Sequence, residues 1–98
     1  MNREIAVAKL KARARAIRAL GATALYLYGS TARDKAKPNS DIDVFVEYDP
    51  AKSFSLFDLA GIKVLLEDEL ATDVHITTRD SLHPLMRRGI EHDAIRIF

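Results

Sequence analysis

The chain has 98 residues, fifteen Lys and Arg against fourteen Asp and Glu, a hydrophobic content of 48% and no cysteine. That length predicts one domain spanning residues 1–98, with one core and little surface left for a separate substrate lobe. The near-neutral balance gives no polyelectrolyte case for nucleic acid as a direct substrate, or for a membrane. Lack of cysteine excludes disulfides, thiolate zinc sites and cysteine nucleophiles. No apolar run nears the ~20 residues of a membrane span, and no signal-peptide order opens the chain, so a cytoplasmic setting is expected.

From Arg3 to Leu20 the residues are mostly good helix formers, with Val7, Leu10, Ala14, Ile17 and Leu20 at helical spacing. Asn2 is placed to cap this helix and Gly21 to end it. Its six basic residues make either a solvated face or a contact for an acidic partner. Thr23–Tyr28 is a β-prone run ending at Gly29-Ser30, and a helical turn is predicted over Ser30–Lys35. A turn at Lys37–Ser40 leads into a second strand, Asp41–Tyr48. Ser55 and Asp58 are spaced as a capping box for a helix running to Leu70, with Leu56, Leu59, Ile62, Leu66 and Leu70 as its inner stripe. Asp73–Thr77 alternates as a third strand. A last helix begins near Asp80 or Ser81 with Pro84 in its first turn and Leu82, Leu85, Gly89 and Ile90 inward. The tail from Ala94 fits a short strand or the helix end equally. This order predicts an α/β (α+β) layer, a small mixed sheet with helices packed on one face.

Strand parity places the chemistry. Asp41 and Asp43 point one way while Ile42, Val44 and Val46 point the other, toward the helices. Two carboxylates about 6–7 Å apart along a strand repel and raise each other's pKa unless a cation intervenes. Mg²⁺ suits them because it takes oxygen ligands and keeps places for water and phosphates. In the third strand the same parity puts Asp73, His75 and Thr77 on the open face. Asp73 would then complete a three-carboxylate cluster able to hold two metals, while His75 is expected as a neighbour rather than a ligand. Gly29 lets backbone approach a phosphate closely, and Ser30 adds a hydroxyl beside the free N–H groups of a helical turn. One turn on, Arg33 is either a phosphate contact or a surface residue. Phe45, on the aspartate face, either touches a nucleobase or fills space under the last helix.

Gly29-Ser30, ten residues, then Asp41-Ile42-Asp43 resembles the signature of the DNA-polymerase-beta-like nucleotidyltransferases. The length, "ARD" after the serine and "SDIDVFVE" resemble more narrowly the minimal nucleotidyltransferase (MNT) domains, the MntA-like antitoxins. The resemblance implies a polymerase-beta-like palm fold that uses Mg²⁺, two ions, with ATP as substrate. It implies Gly29 and Ser30 on the terminal phosphates, Asp41 and Asp43 on the metals, and Asp73 as the third acid. It further implies transfer of AMP to a tyrosine of a HEPN-domain RNase toxin in a hetero-oligomer; the basic first helix or the last helix is expected to dock that partner. On that docking expectation, deletion of residues 1–20 would weaken the complex. Other readings of the same residues are an antitoxin that masks its toxin without catalysis, and an enzyme that modifies a small molecule. The last usually carries an extra helical domain.

Overall fold

A computed structural model describes residues 1–98. The first helical stretch is divided. Asn2 caps α1 (Arg3–Ala12) by accepting from the Ile5 N–H at 2.8 Å, Arg13 leaves helical geometry, and α2 (Ala14–Ala19) follows. Gly21 ends α2 with φ +113°, a conformation glycine adopts without strain. Then come β1 (Ala22–Tyr28), a single turn α3 (Gly29–Ala32), β2 (Ile42–Tyr48), α4 (Leu56–Leu70), β3 (Val74–Thr78), a 3-10 turn at Arg79–Ser81, α5 (Pro84–Asp93) and β4 (Ile95–Arg96). The Ser55–Asp58 capping box opens α4 as its spacing predicts. The undecided tail is a strand, because the open edge of β1 offers it a ladder.

The sheet order is β3-β2-β1-β4, with β2 and β3 parallel and β1 antiparallel to both β2 and β4. Its aliphatic face carries Leu25, Leu27, Ile42, Val44, Val46 and Val74, and these pack with Ala6, Leu10, Ile17, Ile62, Leu66 and Leu70 from α1, α2 and α4. The stripes of α1, α2 and α4 read from spacing therefore bury or half-bury as expected, except that Leu56, at the first turn of α4, is 83% exposed.

The last helix departs from the one-sided arrangement. It buries no residue, and Leu85, expected to face inward, is 90% exposed. The cause lies on the opposite face of the sheet, where Tyr26 and Phe45 stack with ring centroids 4.7 Å apart. The Arg79 guanidinium lies over both rings and is paired with Glu47 of β2 and Glu91 of α5. Ion pairs and cation–π contact, rather than an apolar stripe, thus hold α5 beside the second face. Phe45 is fully buried there, so of its two expected roles it takes the space-filling one.

These packing differences predict different responses to substitution. Leu66→Ala should cost about 2–5 kcal/mol in chemical denaturation, since it opens a cavity in a closed core. Phe57→Ser should change stability by no more than about 0.5 kcal/mol, because Phe57 is 88% exposed.

Candidate active site

The strand register assembles the site. Tyr28, last in β1, pairs with Asp43 in β2, and Asp43 pairs on its other side with His75 in β3. The turn that leaves β1 must therefore pass directly beside the Asp43 side chain. Gly29 makes this possible twice over. Its φ of +76° is left-handed, and a Cβ there would collide with Oδ2 of Asp43. Glycine and carboxylate are in contact by construction.

Tyr28, Gly29, Ser30, Arg33 and Asp43 line one side of a cleft of about 590 Å³, and Leu85, Met86, Gly89, Ile90 and Asp93 of α5 line the other. Such a volume suits a small organic ligand. Arg33 is exposed, with its guanidinium 3.9 Å from the Asp93 carboxylate, a contact loose enough to be exchanged for an anion in the cleft. Burial pushes the Asp43 carboxyl above the ordinary aspartate range; His75 pulls it back, Asp41 adds to the rise and Arg33 opposes it. Burial and the nearby Asp43 raise the Tyr28 phenol as well. A half-buried carboxylate next to another carboxylate is the situation a cation relieves.

Asp41 and Asp43 emerge on the same face as parity requires, since Ile42 and Val44 between and after them are wholly buried opposite. Asp73 does not join them in the expected three-carboxylate cluster. It lies before β3 begins, its side chain is exposed, and its ordered contact is through the backbone, where its carbonyl accepts from the Ile42 N–H at 3.0 Å. One step further up the parallel ladder stands His75, level with Asp43, and its Nε2 is 2.7 Å from Oδ2 of Asp41. The third side chain at the acids is thus an imidazole. No group of three His, Asp or Glu side chains is placed to hold a metal ion. The signal for His75 was present in its parity, but the preference for a third acid drew attention to the residue two positions earlier.

The donor set still fits a divalent ion. Two carboxylates are accessible on one face, one of them partly desolvated, and a glycine keeps the floor beside it clear. Asp41 and Asp43 would hold Mg²⁺ by hard oxygen donors, leaving positions for phosphate oxygens and water.

Residues 8–97 match the family model of the nucleotidyltransferase domain. A Methanocaldococcus jannaschii protein named as a candidate protein adenylyltransferase is 39% identical over 71 residues, covering 72% of this chain and 74% of that one. The solved structure of a candidate minimal nucleotidyltransferase superposes with a TM-score of 0.73 at 31% identity, over 97% of this chain and 95% of the other. The MNT antitoxin–HEPN toxin complex of Shewanella oneidensis, with the toxin tri-AMPylated, aligns with a TM-score of 0.66 at 16% identity, over 98% and 71%. With a Gly-Ser turn pressed against one carboxylate of an Asp-x-Asp strand, and a model match along nearly its whole length, the chain belongs to the nucleotidyltransferase family, among its minimal domains.

Proposed function

We propose that this chain is a metal-dependent protein adenylyltransferase that moves AMP from ATP to a tyrosine hydroxyl of a HEPN-family RNase toxin, and that it is the antitoxin of that pair. The carrying observation is the close approach of Gly29 to Asp43 at the floor of the cleft, which supports reading the backbone turn as the phosphate-receiving group and the carboxylate as the metal-binding one. The M. jannaschii relative's name supports adenylyl transfer to protein, and the S. oneidensis complex supports the kind of partner.

Each residue has a role in this reading. Gly29 admits the triphosphate close to the main chain, Ser30 donates its hydroxyl to a phosphate oxygen, and Arg33 leaves Asp93 to meet the same charge. Asp41 and Asp43 would hold Mg²⁺, the ion the family resemblance implies, which when bound neutralises phosphate charge. The acceptor oxygen attacks the α-phosphorus, the bond to the β-phosphate oxygen breaks, and pyrophosphate and the hydroxyl proton depart. Leu85 and Met86, 90% and 61% exposed at the lip of the cleft, give an incoming polypeptide apolar surface to cover.

With α-labelled ATP, Mg²⁺ and the HEPN partner, label should appear on a partner tyrosine. Asp43→Asn should lower that rate by at least about a hundredfold, the scale expected when a group stabilising transition-state charge is removed, while circular dichroism stays native. Gly29→Ala should lose transfer too, through the clash with Asp43. If no label moves and an Asp41→Ala/Asp43→Ala variant still silences the toxin fully, masking without catalysis is the function.

The docking role of the basic helices needs a different test from the deletion that sequence suggested. Ala6, Leu10 and Ile17 are wholly buried in the core, so removing residues 1–20 would unfold the domain rather than strip a docking face. Lys11 and Arg15 are exposed and free of ion pairs. A Lys11→Glu/Arg15→Glu variant should weaken toxin binding severalfold in calorimetry at low salt, with a smaller effect at high salt. Equal affinity at both salt concentrations would remove the docking role of this face.

A further inference from the structure

Of the four glycines, Gly89 is the one that the fold does not explain. Gly21 and Gly29 have left-handed backbones, and Gly61 lies against Leu20, whose side chain a Cβ would meet at 3.7 Å. Gly89 stands in the middle of α5 with no positive φ, and a Cβ built there meets no atom within 4 Å. Inside a helix glycine is less stable than alanine, because it loses more backbone freedom on folding. Neither conformation nor packing offsets that cost here. The position of Gly89 supplies a reason. It lies on the α5 wall of the cleft in the row Leu85, Gly89, Asp93, with Met86 and Ile90 in the row beside it. Residues four apart follow one another along a helix face, so the missing side chain leaves a notch between Leu85 and Asp93, floored by main chain and edged by Met86 and Ile90.

We propose that the notch at Gly89 receives the base of the nucleotide, which lies flat on the α5 main chain between Met86 and Ile90, and that Gly89 is therefore a specificity-determining residue of the cleft. The inference rests on the adenylyltransferase reading and adds to it the place of the base. In that reading the phosphates go to Gly29, Ser30 and Arg33 on one wall. The nucleoside is then the part of ATP still to be placed in the same cleft of about 590 Å³. A base has broad apolar faces and polar edges, so it suits a surface made of backbone and two aliphatic side chains. The facing wall carries Tyr28, whose ring is set against Phe45 with centroids 5.6 Å apart. Each wall thus has one glycine exposing main chain to the ligand, Gly29 for phosphate and Gly89 for the base. Any side chain at Gly89 would project into the cleft and not into the protein, so its replacement burdens the ligand and not the fold.

The test sets stability against binding. Thermal unfolding is measured on the full chain, and calorimetry with Mg²⁺ gives the affinities of a non-hydrolysable ATP analogue and of inorganic tripolyphosphate. Gly89→Ala should raise Tm by about 2–8 °C, the gain expected from replacing an interior helical glycine in a chain of this length. The same variant should weaken the ATP analogue severalfold. Gly89→Leu, which keeps a good helix former, should weaken the analogue by about tenfold or more, the scale of forcing extra methylene groups into an occupied space. Tripolyphosphate, which has no base, should bind all three proteins alike. A lower Tm in Gly89→Ala would give this glycine a packing role and overturn the inference. So would unchanged analogue affinity in both variants, or equal losses for analogue and tripolyphosphate. A higher KM for the acceptor with unchanged analogue affinity would assign the notch to the partner and overturn the place of the base. All of these outcomes leave the adenylyltransferase reading standing. Failure of the unaltered chain to bind the analogue at all overturns that reading, and this inference with it.

Discussion

Everything functional in this fold depends on one alignment of backbone: Tyr28 opposite Asp43, and Asp43 beside His75, across three neighbouring strands. A strand slipped by one residue would turn both aspartates into the aliphatic layer and Ile42 and Val44 into water. Burial of Ile42, Val44 and Val46 against α1, α2 and α4 makes that slip costly, at roughly 1.5–3 kcal/mol for each large side chain exposed. The core thus fixes the site from behind. The same register leaves Asp43 half-desolvated next to Asp41, which raises its pKa and which a nearby positive charge would relieve. The protein keeps this tension and places a glycine where any other residue would push the carboxylate aside.

The opposite wall of the cleft is held differently. No residue of α5 is buried, and its attachment runs through Arg79, clasped by Glu47 and Glu91 above Tyr26 and Phe45. The two carboxylates raise the Arg79 pKa further above its ordinary value, so the guanidinium is charged at every relevant pH. Elements with few buried apolar contacts open locally at lower free energy than core elements. The cleft therefore has one rigid side, bearing Gly29, Ser30 and Asp43, and one side fastened by a polar clasp. Motion of the second does not disturb the position of the first.

Much of this was legible in the residues because strand parity and helix spacing are local properties. The Asn2 cap, the Ser55–Asp58 capping box, the core stripes and the shared face of Asp41 and Asp43 all follow from periods of two or 3.6 residues. The misplaced third group shows where such reasoning ends. Asp73 and His75 have the same parity, so alternation alone cannot choose between them. The register of two strands about thirty residues apart in sequence sets His75 level with Asp43, and it is the reach of the imidazole back along the sheet that brings its Nε2 to Asp41. Leu85 was misassigned for a related reason: helical spacing marks an apolar position, but an Arg79 clasp elsewhere determines how far α5 stands from the core.

Charge distribution adds a constraint on how a partner can approach. Residues 1–20 hold six basic side chains and one acidic, whereas residues 21–98 hold nine basic and thirteen acidic, so a neutral total conceals a polarised molecule. The basic helices cover the aliphatic face of the sheet, and the aspartates open on the other. A macromolecule that approaches the cleft meets the exposed Leu85 and Met86 first, not Lys11 or Arg15. Contact with both surfaces requires a partner that wraps around an edge of the sheet or supplies two subunits. The basic helices and the aspartate-lined cleft thus present opposite charge on opposite faces of one sheet.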